Sequence, residues 1–112
     1  MSGFPVELAL DIVGGKWKMP MLWRLDRCIW RYGDLKSNLG TITHKMLSQQ
    51  LRELERDGLI TRKAHAEVPP RVEYSITPLG KTTLPIIEAL RTWGGTCRRR
   101  APREGDLVAS LQ

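Results

Sequence analysis

The scarcities of this 112-residue chain each remove a class of protein. It has only two cysteines, Cys28 and Cys97, and two histidines, His44 and His65. Neither cysteine stands in a CxxC or CxxH pairing, so no disulfide framework or metal site is expected, and no cofactor is assigned. No apolar run approaches the ~20 residues that span a bilayer. The opening Met1-Ser-Gly-Phe-Pro-Val-Glu7 lacks the basic-then-apolar order of a secretion signal, so a cytoplasmic protein without a membrane partner is the expectation. Gly15-Lys16-Trp17 lacks the spacing and the hydroxyl of a phosphate-binding GxxxxGK[ST] loop. Asp11, Glu73 and Glu88 form no acid–base pair, and neither histidine has a nucleophile at a matching position. An enzyme is therefore not expected.

Acidic side chains are the minority, 12 against 18 Lys and Arg, for a net charge of +6. A positive balance favours polyanionic partners, chiefly nucleic acid. It is uneven, because Arg98, Arg99, Arg100 and Arg103 crowd one end, and removing their four charges leaves only +2. The length suffices for one hydrophobic core and one domain.

The informative stretch is Thr43-His-Lys-Met-Leu-Ser-Gln-Gln-Leu-Arg-Glu-Leu-Glu-Arg-Asp57. Leu47, Leu51 and Leu54 recur at the spacing that stacks side chains along one helical face. Thr43, His44, Lys45, Ser48, Gln49 and Arg52 fall mainly away from that stripe and are the types that reach base edges and phosphates. The helix start also favours a phosphate, because its N–H groups have no intrahelical partner. The neighbours give this helix a context. Pro5 to Val13 reads as a first helix stopped by Gly14-Gly15, and Lys16 to Arg27 as a second, with Pro20 close to its start. Ile29-Trp30-Arg31 is an edge strand or extended link, Tyr32 to Leu39 a brief third helix, and Gly40 to Thr43 the turn into the fourth, which Thr43 caps. Helix, turn and capped helix make a helix-turn-helix. Two strands, Ile60 to His65 and Arg71 to Ile76, flank Val68-Pro69-Pro70, where proline ends the ladder, and form a wing (62–74) that Arg71, with Arg62 and Lys63, would place against the DNA backbone or minor groove. Thr77-Pro78 starts a long helix with Leu79, Thr83, Ile86, Ile87, Leu90 and Trp93 on its apolar side; Pro85 is expected to bend it and Gly94-Gly95 to weaken its end. The fold class is mainly α with a small β-wing, a winged helix-turn-helix.

Read in order, Gly14-Gly-Lys-Trp17 with Leu22-Trp23, Ile42 to Glu55, Asp57-Gly-Leu-Ile60, Glu67 to Tyr74, Thr77-Pro-Leu-Gly80 and Trp93-Gly94 resemble the HxlR-type, MarR-like regulators over roughly residues 5 to 94. The resemblance implies a winged helix that forms homodimers through its first and last helices and controls transcription. Residues 1–100 would then be one DNA-binding and dimerisation domain and 101–112 a flexible, basic-to-polar tail. One departure matters: many members carry a redox-sensing cysteine just before the N-terminal Pro-Val, and here that place is Phe4. Cys97, beside three arginines that would lower a thiol pKa, is the alternative redox candidate.

The expected function is that of a homodimeric, sequence-specific DNA-binding regulator, a repressor, reading a pseudo-palindromic site in double-stranded DNA. The contacts are assigned to Thr43, His44, Lys45, Ser48, Gln49, Arg52 and Arg71. Two alternatives stand beside it: a winged helix that binds proteins only, and a regulator governed by a small-molecule effector lodged near Trp17, Trp23, Trp30 and Trp93. Those tryptophans serve equally as core and interface anchors, the reading preferred here.

Overall fold

Prolines and glycines set most of the element boundaries. The structure, a computed structural model, describes residues 4–100; the tail expected at 101–112 lies outside the described residues. Pro5 occupies the first position of α1 (Pro5–Val13), where its missing N–H costs nothing. Gly14 ends the helix by donating to the Leu10 carbonyl at 2.8 Å, and Gly15 turns the chain at φ 92°. That turn delays α2 (Lys18–Arg27) by two residues relative to the expected start at Lys16, and Pro20 falls at its third position. The proline ring thus lies where no intrahelical donor is required.

After β1 (Trp30–Arg31) come α3 (Tyr32–Leu39) and α4 (His44–Arg56). The Thr43 hydroxyl accepts from the Met46 N–H at 3.1 Å and caps α4. Gly58, at φ 79°, leads from α4 toward β2 (Ile60–His65), which pairs antiparallel with β3 (Arg71–Ile76) from Ile60↔Ile76 to His65↔Arg71. β1 adds to the other edge of β3 through Trp30↔Tyr74, giving the order β1-β3-β2.

The single long helix expected after Thr77 is two. α5 (Pro78–Lys81) ends in a turn at Thr82 and Thr83, and α6 runs from Leu84 to Arg100. Pro85 is the second residue of α6 and begins a helix instead of bending one. A continuous helix would set its ring against the carbonyl of residue 81. The hydroxyls of Thr82 and Thr83 donate to the carbonyls of Leu79 and Gly80 at 2.5 and 2.6 Å and help close the break. Gly94 and Gly95 also do not end the helix, which continues through both.

Met21, Leu22 and Leu25 of α2, Leu35 of α3, and Leu47, Leu51 and Leu54 of α4 meet Ile60 and Tyr74 of the sheet and Ile87 of α6 in one core. Each such leucine contributes roughly 1.5–3 kcal/mol by leaving water. Trp17, Trp23 and Trp30 pack partly buried against this core, and the Trp30 indole N–H donates to the Arg24 carbonyl at 3.0 Å. Trp93 is 65% exposed. No helix among the described residues is long and apolar enough to cross a membrane.

Candidate nucleic-acid interface

α4 has one dry face and three wet ones. With Leu47, Leu51 and Leu54 turned into the core, 3.6-residue periodicity places Lys45, Gln49, Arg52 and Arg56 opposite. Lys45, Gln49 and Arg52 are exposed and make no side-chain hydrogen bond or ion pair among the described residues. Arg56 is engaged by its neighbour: the Asp57 carboxylate, 3.3 Å from Nε, raises its pKa further. The front of α4 therefore offers two unpaired cations flanking an amide, the set that reads guanine, adenine and phosphate.

The two flanks are tied down. On one, Tyr32, the first residue of α3, reaches across: its hydroxyl lies 3.2 Å from His44 Nδ1 and 3.1 Å from Ser48 Oγ, and it donates to the His44 carbonyl at 3.3 Å. Its ring stacks on the His44 imidazole, centroids 5.9 Å apart and planes 13° from parallel. On the other, Glu53 accepts from Gln50 at 3.4 Å and pairs at 3.5 Å with Lys18 of α2. Lys18 is only 5% exposed, and a charge so buried requires a partner. Sequence reasoning named His44 and Ser48 but neither Tyr32 nor the Lys18–Glu53 pair. Tyr32 is separated from its partners by twelve and sixteen residues, and no local pattern marks such a contact.

The wing carries its own network. Arg71 Nη2 lies 3.2 Å from Glu67, and its Nε, buried and without a hydrogen-bond partner, lies 3.8 Å from Glu73. The His65 imidazole bonds the other Glu73 oxygen. That hydrogen bond first, and then the charge of Arg71, hold the Glu73 carboxyl below its usual pKa despite some desolvation. Arg71 is thus half-buried and internally paired, whereas Arg62 and Lys63 stand exposed. Between the wing and the amino end of α3 runs a cleft of about 580 Å³ lined by Arg31, Tyr32, Asp34, Arg62, Pro70 and Arg71. No side chain caps α3 there, so its first N–H groups add partial positive charge to a lining in which three arginines face the carboxylates of Asp34 and Glu67.

Exposed apolar side chains stand on two other helices. α1 is polar only at Glu7 and Asp11, yet Val6 is 72%, Leu8 46% and Leu10 59% exposed. On α6, Ile86, Leu90 and Trp93 follow at i, i+4 and i+7 and are all exposed. Beside them an apolar groove of about 340 Å³ opens between α2 and α6, lined by Met19, Trp23, Ile87 and Leu90. Arg27 covers the Trp23 ring at 4.5 Å. Cys28 and Cys97 are both exposed free thiols, so neither fills the core as a small apolar residue would. No group of three or more potential metal ligands occurs among the described residues.

Comparison with known proteins places this geometry. A family model described as HxlR-like helix-turn-helix matches residues 12–101. An uncharacterised HTH-type transcriptional regulator of Halalkalibacterium halodurans, BH0655, is 51% identical over 92 residues, covering 80% of each chain. Among solved structures, the redox regulator HypR in its oxidised form superposes with a TM-score of 0.78 at 41% identity, over 83% of this chain and 96% of its own. A MarR-family transcriptional regulator from Porphyromonas gingivalis W83 gives a TM-score of 0.79 at 44% identity, over 84% and 92%.

Proposed function

The chain belongs to the HxlR-like helix-turn-helix family of transcriptional regulators, and from that premise we propose that it acts as a homodimeric repressor reading a pseudo-palindromic DNA site. The family is one of regulators, not enzymes, and DNA is the partner it implies. The observation that carries the reading is the front of α4, where Lys45, Gln49 and Arg52 stand exposed and unpaired over a leucine back buried in the core. Thr43, His44 and Ser48 extend that front at its amino end, and the α3–wing cleft, with Arg31, Arg62 and Arg71, follows the DNA backbone beside it.

Pairing of two copies is supported by α1. A helix apolar nearly all round belongs inside a protein, and only Val13 of α1 is buried. A second copy that covered α1 and the Ile86–Leu90–Trp93 stripe would set two α4 helices into successive major grooves ~34 Å apart. Residues 1–100 act in this reading as one DNA-binding and dimerisation domain. Repression would act by occlusion, a bound dimer covering the promoter DNA that it reads.

The redox character named for HypR is not carried over, since Phe4 stands at the family's sensing position and Cys28 and Cys97 lie elsewhere. Oxidant titration of DNA affinity in the wild type and Cys97→Ser tests the remaining thiol. A small-molecule effector has its best support in the groove beside Trp23, where quenching of tryptophan fluorescence would report it.

The test of the main reading is Lys45→Ala combined with Arg52→Ala, assayed on fragments selected from genomic DNA by the wild-type protein. DNA affinity should fall roughly a hundredfold or more, with the mass of the assembly unchanged. Undiminished affinity would place the reading face elsewhere.

A further inference from the structure

Tyr32 is the one side chain of the first helix of the helix-turn-helix that grips reading-face residues of the second. Its hydroxyl meets three polar groups of α4, the His44 ring nitrogen, the His44 carbonyl and the Ser48 hydroxyl, all within 3.3 Å. Its ring lies flat along the imidazole. We propose that Tyr32 is a specificity-determining positioning residue: by fixing His44 and Ser48 as one unit it sets which base edge the amino-terminal flank of α4 accepts. This rests on the proposal that α4 reads DNA.

The chemistry is restrictive. A phenol has one proton to give and two lone pairs to offer, so contact with three polar groups fixes the roles of all of them together. With Nδ1 engaged by the phenol, Nε2 is the imidazole nitrogen left for a base edge or a phosphate. The ring cannot swing away without breaking the stack. Ser48, half-buried, is likewise held in one direction, while Lys45, Gln49 and Arg52 are exposed and have no side-chain partner among the described residues. One flank of α4 is thereby preorganised and the front adaptable, and the preorganised groups discriminate because a mismatched base would leave them unpaired.

The hydroxyl has little to do with holding the fold together. The packing of α3 rests on Leu35 and Leu39, both buried; the phenol's bonds to His44 lie at the exposed edge, and only its bond to Ser48 is part-buried. Tyr32→Phe therefore keeps the ring and removes only the hub.

The experiment selects bound sequences from a randomised double-stranded DNA library with the full chain, wild type and Tyr32→Phe, and repeats the comparison in a His44→Ala, Ser48→Ala background. The expected result is a preference relaxed by roughly five- to tenfold at one or two positions of each half-site, the lower part of the range for a single base contact. The salt dependence should stay the same, and Tyr32→Phe should have no further effect in the double-alanine background. An identical preference profile in Tyr32→Phe overturns the proposal. So does a uniform loss of affinity for all sequences accompanied by a lowered Tm, and so does an equal effect of Tyr32→Phe in the double-alanine background. Failure of the underlying DNA reading would show differently, as a wild-type protein that selects no site.

Discussion

The front of α4 and the sides of α1 are both open to water, but water suits only the first. Lys45, Gln49 and Arg52 are solvated side chains at no cost, available to a partner yet stable without one. Val6, Leu8 and Leu10 are apolar and exposed, and at about 25 cal/mol per Å² such surface gains from being covered. The difference separates two kinds of contact. The proposed DNA face is polar and cationic, so its strength should follow salt. The exposed sides of α1 and α6 are apolar, so the strength of a contact made through them should follow buried area.

The largest expected effect comes from placing charge on the apolar side. Val6→Asp with Leu10→Asp should convert the assembly to monomers in sedimentation velocity and cost DNA affinity on the order of a hundredfold, because linkage of the two reading modules is lost. Neither side chain belongs to the core, so circular dichroism should stay unchanged. A variant that remained dimeric would assign pairing to another surface. A smaller effect is expected from Gly80→Ala, which strikes the core the two faces share. A Cβ at Gly80 would lie 2.1 Å from the Leu59 carbonyl oxygen and 2.6 Å from the Ile76 side chain. Urea unfolding should show a loss of roughly 1–3 kcal/mol, with pairing and DNA binding both retained under native conditions. Selective loss of one function would mean that the faces do not share that support.

The smallest effect concerns the wing. Because the folded-state pKa of Glu73 is depressed, its contribution is fully present above the ordinary carboxylate value and is lost as pH falls through the lower, folded one. The wing network should thus be intact at neutral pH and open only in acid. An NMR titration of the Glu73 carboxyl should give a midpoint below that of an unfolded peptide of the same sequence; equal midpoints would remove the His65–Glu73–Arg71 network from the account.

Much of the fold was legible because its signals are local. Pro5, the Thr43 cap, Pro69-Pro70 and Thr77-Pro78 each act on the backbone at their own position, and the boundaries they set fall where expected. The apolar repeat from Leu79 to Trp93 misled, because side-chain periodicity passes through a proline that the backbone cannot. α2 began late because Gly15 takes a left-handed turn that no side-chain pattern encodes. The amphipathic front of α4 could be read for the same local reason. Tyr32 and the buried Lys18–Glu53 pair could not, since a tyrosine opening a helix and a lysine in a basic chain look like ordinary surface until the fold brings their partners alongside.

In the proposed function the free cations of α4 touch DNA, and pairing depends on them not at all. The salt dependence of binding tests both halves at once, measured by fluorescence anisotropy on one selected fragment for the wild type and for Lys45→Ala, Arg52→Ala, each checked for mass. The account predicts an unchanged dimer and a log–log slope shallower by about one for every phosphate contact removed. A weakened complex with the wild-type slope, or a monomeric variant, would contradict it.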